Sequence, residues 1–168
     1  GARTAYFSYS MCLCCHCTGQ CRSFTGLESS SNAISTTRNT AIGYQSLYLT
    51  TANNNVAVGG ESLYNNSTGA NNVAVGLAAG KFIANGSTAN AITNTSIFIG
   101  NTTKALANNQ SNQIVIGYDS TGLGSNTTVI GNSSTTDAAI YGRLLVNYSA
   151  PVIGTYALDV NGTARVSG

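Results

Sequence analysis

Short apolar stretches recur along this chain, each opened by a polar residue and closed by glycine. The clearest copies are Asn39-Thr40-Ala41-Ile42-Gly43, Asn55-Val56-Ala57-Val58-Gly59 and Asn72-Val73-Ala74-Val75-Gly76. Looser copies follow as Ile97-Phe98-Ile99-Gly100, Ile114-Val115-Ile116-Gly117, Val129-Ile130-Gly131 and Ile140-Tyr141-Gly142. A weaker copy, Phe24-Thr25-Gly26, precedes them all. The steps from Gly26 to Gly43, Gly59 and Gly76 are nearly equal, and the step from Gly100 to Gly117 matches them. The step from Gly76 to Gly100 is longer, and the last two, to Gly131 and Gly142, are progressively shorter. A small residue often follows the glycine at the third place, as at Ser29, Ser46, Ser62, Thr103, Ser120 and Ser134. A repeat of this length is too short for a helical hairpin or a propeller blade and suits one turn of a β-solenoid. The β-branched residues and the flanking Asn, Gly, Ser and Thr clusters support strands and bends. The nearest helical candidate, Leu77 to Ala84, is short and interrupted by Gly80. The predicted fold is therefore all-β, a repeat β-solenoid.

Each recurring position has a physical reason. A bend that ends a strand can require positive φ or close backbone approach, which glycine meets cheaply. Asn39, Asn55 and Asn72 suit the other bend, where the amide bonds the local backbone or stacks on the Asn of the next coil. Side chains alternate along a strand, so Val56 and Val58 share one face, as do Val73 and Val75, Ile97 and Ile99, and Ile114 and Ile116. The other face carries Ala41, Ala57, Ala74, Phe98, Val115 and Val129. Strands apolar on both faces are usually buried on both. One face fills the coil and the other meets copies of the chain; the row Ala41, Ala57, Ala74, Phe98, Val115 and Val129 is the expected subunit interface. The alternative, a monomer with one apolar wall in water, runs against the rarity of such patches.

The phrases Asn-Val-Ala-Val-Gly and Asn-Thr-Ala-Ile-Gly resemble the head repeats of trimeric autotransporter adhesins (YadA-like). The run from Asn39 to Tyr64, with Ile-Gly-Tyr-Gln-Ser-Leu-Tyr, resembles bacteriophage tail-fibre proteins with the same repeat. The final phrase, Leu158-Asp159-Val160-Asn161-Gly162-Thr163-Ala164-Arg165-Val166-Ser167-Gly168, is similar to the segment that precedes a self-cleaving C-terminal chaperone domain in such phage proteins. The resemblance covers roughly positions 24 to 168. It implies a homotrimer of left-handed parallel β-rolls with a β-rich C-terminal stem. The implied setting is a virion tail fibre supporting host-surface attachment, with a host glycan or protein receptor as partner. A bacterial trimeric surface adhesin or extracellular filament subunit is the alternative. A monomeric ice- or surface-binding solenoid is a second one, disfavoured by the irregular Thr positions. The expected organisation is a Cys-rich segment over 1–23, repeats over 24–142 and a stem over 143–168. The long interval between Gly76 and Gly100 is expected to hold a loop beside the stack, with Asn85-Gly86 as its tight turn.

Composition narrows the remaining chemistry. Charged residues make up 7% of the chain and the net charge is +2, with no run of Lys or Arg to neutralise phosphates, so nucleic acid is not an expected partner. No apolar run is long enough to span a membrane. The chain begins Gly-Ala-Arg without a signal-peptide pattern and reads as a fragment or processed product. All five cysteines and the only histidine fall in Cys12, Cys14, Cys15, His16, Cys17 and Cys21. Thiolates and imidazole suit zinc or copper(I). The spacing lacks two separated C-x-x-C knuckles, so disulfides within or between chains and buried thiols stand beside the metal reading. No catalytic residue or cofactor is expected. His16 lacks an orienting group for a nucleophile, and the five acids, Glu28, Glu61, Asp119, Asp137 and Asp159, are far apart in sequence.

Overall fold

The computed structural model describes residues 10–14, 21–30 and 36–141, with the backbone course alone for 10–14 and 21–24. All regular structure among them is β. An antiparallel hairpin of β1 (Ser10–Cys14) and β2 (Cys21–Thr25) stands at one end of an eight-stranded sheet. β2 then pairs in parallel with β3 (Asn39–Ile42), followed by β4 (Val56–Val58), β5 (Val73–Val75), β7 (Ile97–Ile99), β9 (Ile114–Ile116) and β10 (Thr128–Ile130). A second, two-stranded parallel ribbon joins β6 (Thr93–Asn94) to β8 (Gln110–Ser111). From β3 to β10 the chain completes five turns of a β-solenoid. The chain divides into two units between Thr136 and Asp137. In the second unit Ile140 and Tyr141 are exposed and fall in no strand. Gly142 and the segment 143–168 lie outside the described residues.

The recurring glycine ends each strand. Gly26, Gly43, Gly59, Gly76, Gly100 and Gly117 hold φ between 122° and 133°, and Gly131 holds 92°. They stack on one another: a Cβ on Gly59 would lie 2.5 Å from the Gly76 carbonyl oxygen, and one on Gly76 would lie 2.5 Å from that of Gly100. The hydroxyl at the third place after the glycine closes the bend, with Ser46 Oγ donating to Gly43 O at 3.2 Å and Ser62 Oγ to Gly59 O at 3.1 Å.

Past the glycine, each coil places ordinary residues in the left-handed region. Gln45, Glu61, Ala78, Thr102 and Asp119 have φ of 51–58°, and Leu47 and Leu63 have φ of 50° and 48°. Such residues each cost about 1–2 kcal/mol in isolation. Inter-coil hydrogen bonds hold them there: Glu61 N donates to Tyr44 O at 2.7 Å in the coil before, and Leu63 N to Ala79 O at 2.9 Å in the coil after. Turning the peptide at alternate residues serves both neighbours, so backbone donors are satisfied along the stack.

A third left-handed position precedes each strand, at Arg38, Asn54, Asn71, Thr95, Asn112 and Asn126, with φ of 52–63°. Asparagine tolerates this conformation and pairs along the column: Asn54 Nδ2 donates to Asn71 Oδ1 and Asn112 Nδ2 to Asn126 Oδ1, both at 3.0 Å. Thr95, β-branched and exposed, interrupts the column. Thr95→Asn is therefore expected to stabilise the chain by about 1 kcal/mol through relief of backbone strain, read as a higher urea midpoint with an unchanged slope.

The interior is narrow. Ala41, Ala57, Ala74, Phe98 and Val115 are completely enclosed, packed with Leu47, Leu63, Ala79 and Ala105. These are the residues that the sequence placed at a subunit interface, and Val129, half-buried, is the last of that row. That expectation is corrected for the five enclosed residues: a side chain with no exposed surface in one chain has none to offer a second. The bore admits small side chains opposite the leucines, and the one large residue is accommodated by a local exchange. At Gly80, where the two preceding coils have Leu47 and Leu63, a Cβ would lie 3.0 Å from the Phe98 ring. The missing side chain in one coil is the room for the ring in the next.

Candidate functional site

The opposite face of the same strands points away from the interior. The register aligns Thr40, Val56, Val73, Ile97, Ile114 and Thr128 in one column, and Ile42, Val58, Val75, Ile99, Ile116 and Ile130 in the other. All of these positions except Thr40 and Thr128 are Ile or Val. Ile42 is 42% exposed, Val75 39%, Ile99 38% and Ile130 66%. Around the glycine bend the surface continues in Leu27, Tyr44 and Leu77, all exposed, and the Leu77 side chain lies over Gly60. The result is an ordered wall of branched side chains in two files, left uncovered by the described residues.

Two side-chain ladders repeat along the same coils. Inside, Asn39 Oδ1 accepts from Asn55 N at 2.8 Å, Asn55 Oδ1 from Asn72 N at 3.0 Å, and Asn72 Oδ1 from Ser96 N at 2.9 Å. Ser96 Oγ continues the series by accepting from Gln113 N at 3.2 Å. The expected Asn ladder is thus present at Asn39, Asn55 and Asn72, and sequence reasoning missed its continuation through Ser96 and Gln113 because neither is Asn. Gln113, longer than the site requires, is enclosed with both amide atoms unpartnered. Beyond the bend, the rings of Tyr48 and Tyr64 stack at 5.0 Å and 12°, and Lys81 Nζ sits 4.9 Å from the Tyr64 centroid while pairing with Glu61 at 2.8 Å.

The long interval between Gly76 and Gly100 holds an excursion. Phe82 and Ala89 bridge antiparallel, Gly86 N donates to Ile83 O at 2.8 Å, and Asn85 Oδ1 accepts from Thr88 N at 2.9 Å. Residues 84–88 are exposed, and Asn90 Nδ2 returns the chain to the interior through Gly80 O at 3.1 Å.

Three of the acids are tied to framework partners: Glu28 accepts from Gln45 Nε2, Glu61 pairs with Lys81 and Asp119 with Lys104. Of the Cys-rich candidates, Cys12, Cys14 and Cys21 are placed by backbone only, with Cys14 opposite Cys21 in the hairpin, and Cys15, His16 and Cys17 lie outside the described residues. No helix among the described residues is long and apolar enough to cross a membrane. Compared with family profiles, curated proteins and solved structures, the chain matches none.

Proposed function

We propose that this chain is a structural, non-enzymatic subunit of a fibre, in which copies pack their outer walls together to form an elongated trimeric assembly. The observation that carries the reading is the double file of Ile and Val running from β3 to β10. Covering the part of each Val or Ile side chain that one chain leaves exposed, about two-fifths at Ile42, Val75 and Ile99, stabilises association by roughly 1 kcal/mol per residue. Repetition of the same pair at every coil multiplies that gain along the stack. Threefold closure, and the setting in a phage tail fibre that supports host-surface attachment, are what the repeat resemblance implies. Against a monomeric ice-binding solenoid stands the composition of the wall, which carries Thr only at its two ends, Thr40 and Thr128.

The test is mass in solution. Sedimentation equilibrium of the full chain is expected to give three times the 17.2 kDa protomer mass. Val75→Lys combined with Ile99→Lys places two ammonium groups on the wall without touching the enclosed row. It is expected to raise the dissociation constant by about 100-fold or more, the scale of unpaired charges taken out of water, with the β signal in circular dichroism retained. A wild-type chain that sediments as a single protomer would overturn the proposal.

A further inference from the structure

An open cleft of about 670 Å³ lies where the turn after Gly117, the Lys104 side chain and the turn after β10 meet. That volume is within the range of small-molecule sites. Its lining shares Ile130 with the end of the outer wall but is otherwise different in kind. Tyr118 is 71% exposed and Leu123 70%, so an aromatic ring and an aliphatic rim are open to solvent beside polar groups from Thr121 and Asn132. Lys104 and Asp119 are the two charged groups of the lining, and they pair with each other. Thr102 Oγ1 also donates to Asp119 Oδ1 at 3.3 Å, and no described group donates to Oδ2. The hydrogen bond from the Lys104 ammonium holds the Asp119 carboxyl below its usual range, so it stays an acceptor. Asn132 Nδ2 donates to Tyr118 O at 2.7 Å and ties the rim to the turn.

Each feature has a counterpart in one ligand class. An exposed aromatic face takes the C–H face of a pyranose ring. A carboxylate oxygen with open lone pairs takes vicinal hydroxyls, and amide and hydroxyl groups complete the polar rim. A cleft whose two charges cancel has no cation left for an acidic sugar. We infer that this cleft binds a neutral hexose or N-acetylhexosamine, stacked on Tyr118 and hydrogen-bonded to Oδ2 of Asp119. The inference rests on the attachment role proposed above for its biological setting and on the cleft alone for its chemistry. A peptide added along β10 is the competing occupant; it would use backbone groups of 128–130 and not the Tyr118 ring.

The test is a printed array of neutral, amino-acetylated and acidic di- and trisaccharides probed with the full chain, followed by titration calorimetry of the best neutral binder. Binding by wild type is expected to be insensitive to a several-fold rise in NaCl, because no net charge is engaged. Tyr118→Ala and Asp119→Asn are each expected to weaken it by about tenfold or more, and Tyr118→Phe to leave it within about twofold, since the ring face is kept. Retention of acidic glycans alone, silence across the neutral panel, or undiminished binding by Tyr118→Ala would overturn the inference. Displacement by an extended peptide with Tyr118→Ala unaffected would overturn it in favour of strand addition. Sedimentation of Tyr118→Ala reports the assembly separately: loss of sugar binding with the wild-type mass unchanged separates this site from the outer wall.

Discussion

Gly76→Ala is expected to destabilise the chain by on the order of 2–6 kcal/mol, combining about 1–3 of backbone strain with about 1–3 of overpacking. The residue has φ of 132°, and an added Cβ would lie 2.5 Å from the Gly100 carbonyl oxygen and 2.7 Å from its carbon. Both atoms are backbone of the next coil, so relief requires β5 and β7 to separate. Small domains have total stabilities of about 5–15 kcal/mol, so the variant is expected to lose a large share of its stability and to unfold at a much lower urea concentration. Two other glycines serve as internal controls. Gly60 lacks a positive φ, and the atom nearest its added Cβ would be the flexible end of Leu77 at 3.3 Å. Gly86, with φ of 72°, has nothing within 4 Å. Gly60→Ala is expected to cost less than about 1 kcal/mol and Gly86→Ala about 1–2 kcal/mol. Urea unfolding followed by circular dichroism ranks the three. Equal midpoints for Gly76→Ala and Gly60→Ala would contradict the stacked-glycine account.

Asn72→Asp is the second large effect and brings a pH signature. Asn72 is fully enclosed, and its amide nitrogen donates to Thr93 O at 2.6 Å and to Asn55 Oδ1 at 3.0 Å. Aspartate has the same shape but points a carboxylate at two acceptors. Loss of these donors costs on the order of 3 kcal/mol or more, and burial of the charge raises the carboxyl pKa in the folded chain. Above the unfolded value of about 3.9, the unfolded chain has released its proton while the folded chain keeps it. Stability therefore falls by about 1.4 kcal/mol per pH unit until the folded group ionises. Below that value the pH-dependent loss disappears. The expected melting temperature is highest at acid pH and drops steadily toward neutrality. Asn72→Ala removes the same donors without the charge and is expected to show no such slope, so parallel profiles for the two variants would count against the enclosed ladder.

Much of this architecture was written in residue types whose backbone needs are narrow. The glycine column was readable because no other residue suits so large a positive φ against a facing carbonyl, and the Asn column because an amide both donates and accepts. Direction was not readable. Val-Ala-Val is apolar on both faces, and hydrophobicity does not distinguish them; size does. Ala41, Ala57 and Ala74 are small because so short a coil has little room inside, while Val and Ile suit an outer face with no facing wall. The left-handed Gln45, Leu47, Glu61 and Leu63 escaped the sequence for another reason. Their conformation is imposed by hydrogen bonds to neighbouring coils, and nothing in the side chains signals it. The cleft beside Tyr118 was equally hidden, because it joins Lys104, Tyr118, Leu123 and Asn132 only after the coils are stacked.

The exchange between Gly80 and Phe98 sets a limit on how such a chain can evolve. Tandem repeats grow and shrink by recombination between similar copies, and the copies around Gly43, Gly59 and Gly76 look alike enough to be swapped. A crossover that inherits Phe98 without Gly80 forces a ring against a leucine, and one that inherits Gly80 without Phe98 leaves a void. Gain or loss of coils is therefore tolerated on the N-terminal side of this pair, and positions 80 and 98 must travel as one genetic unit.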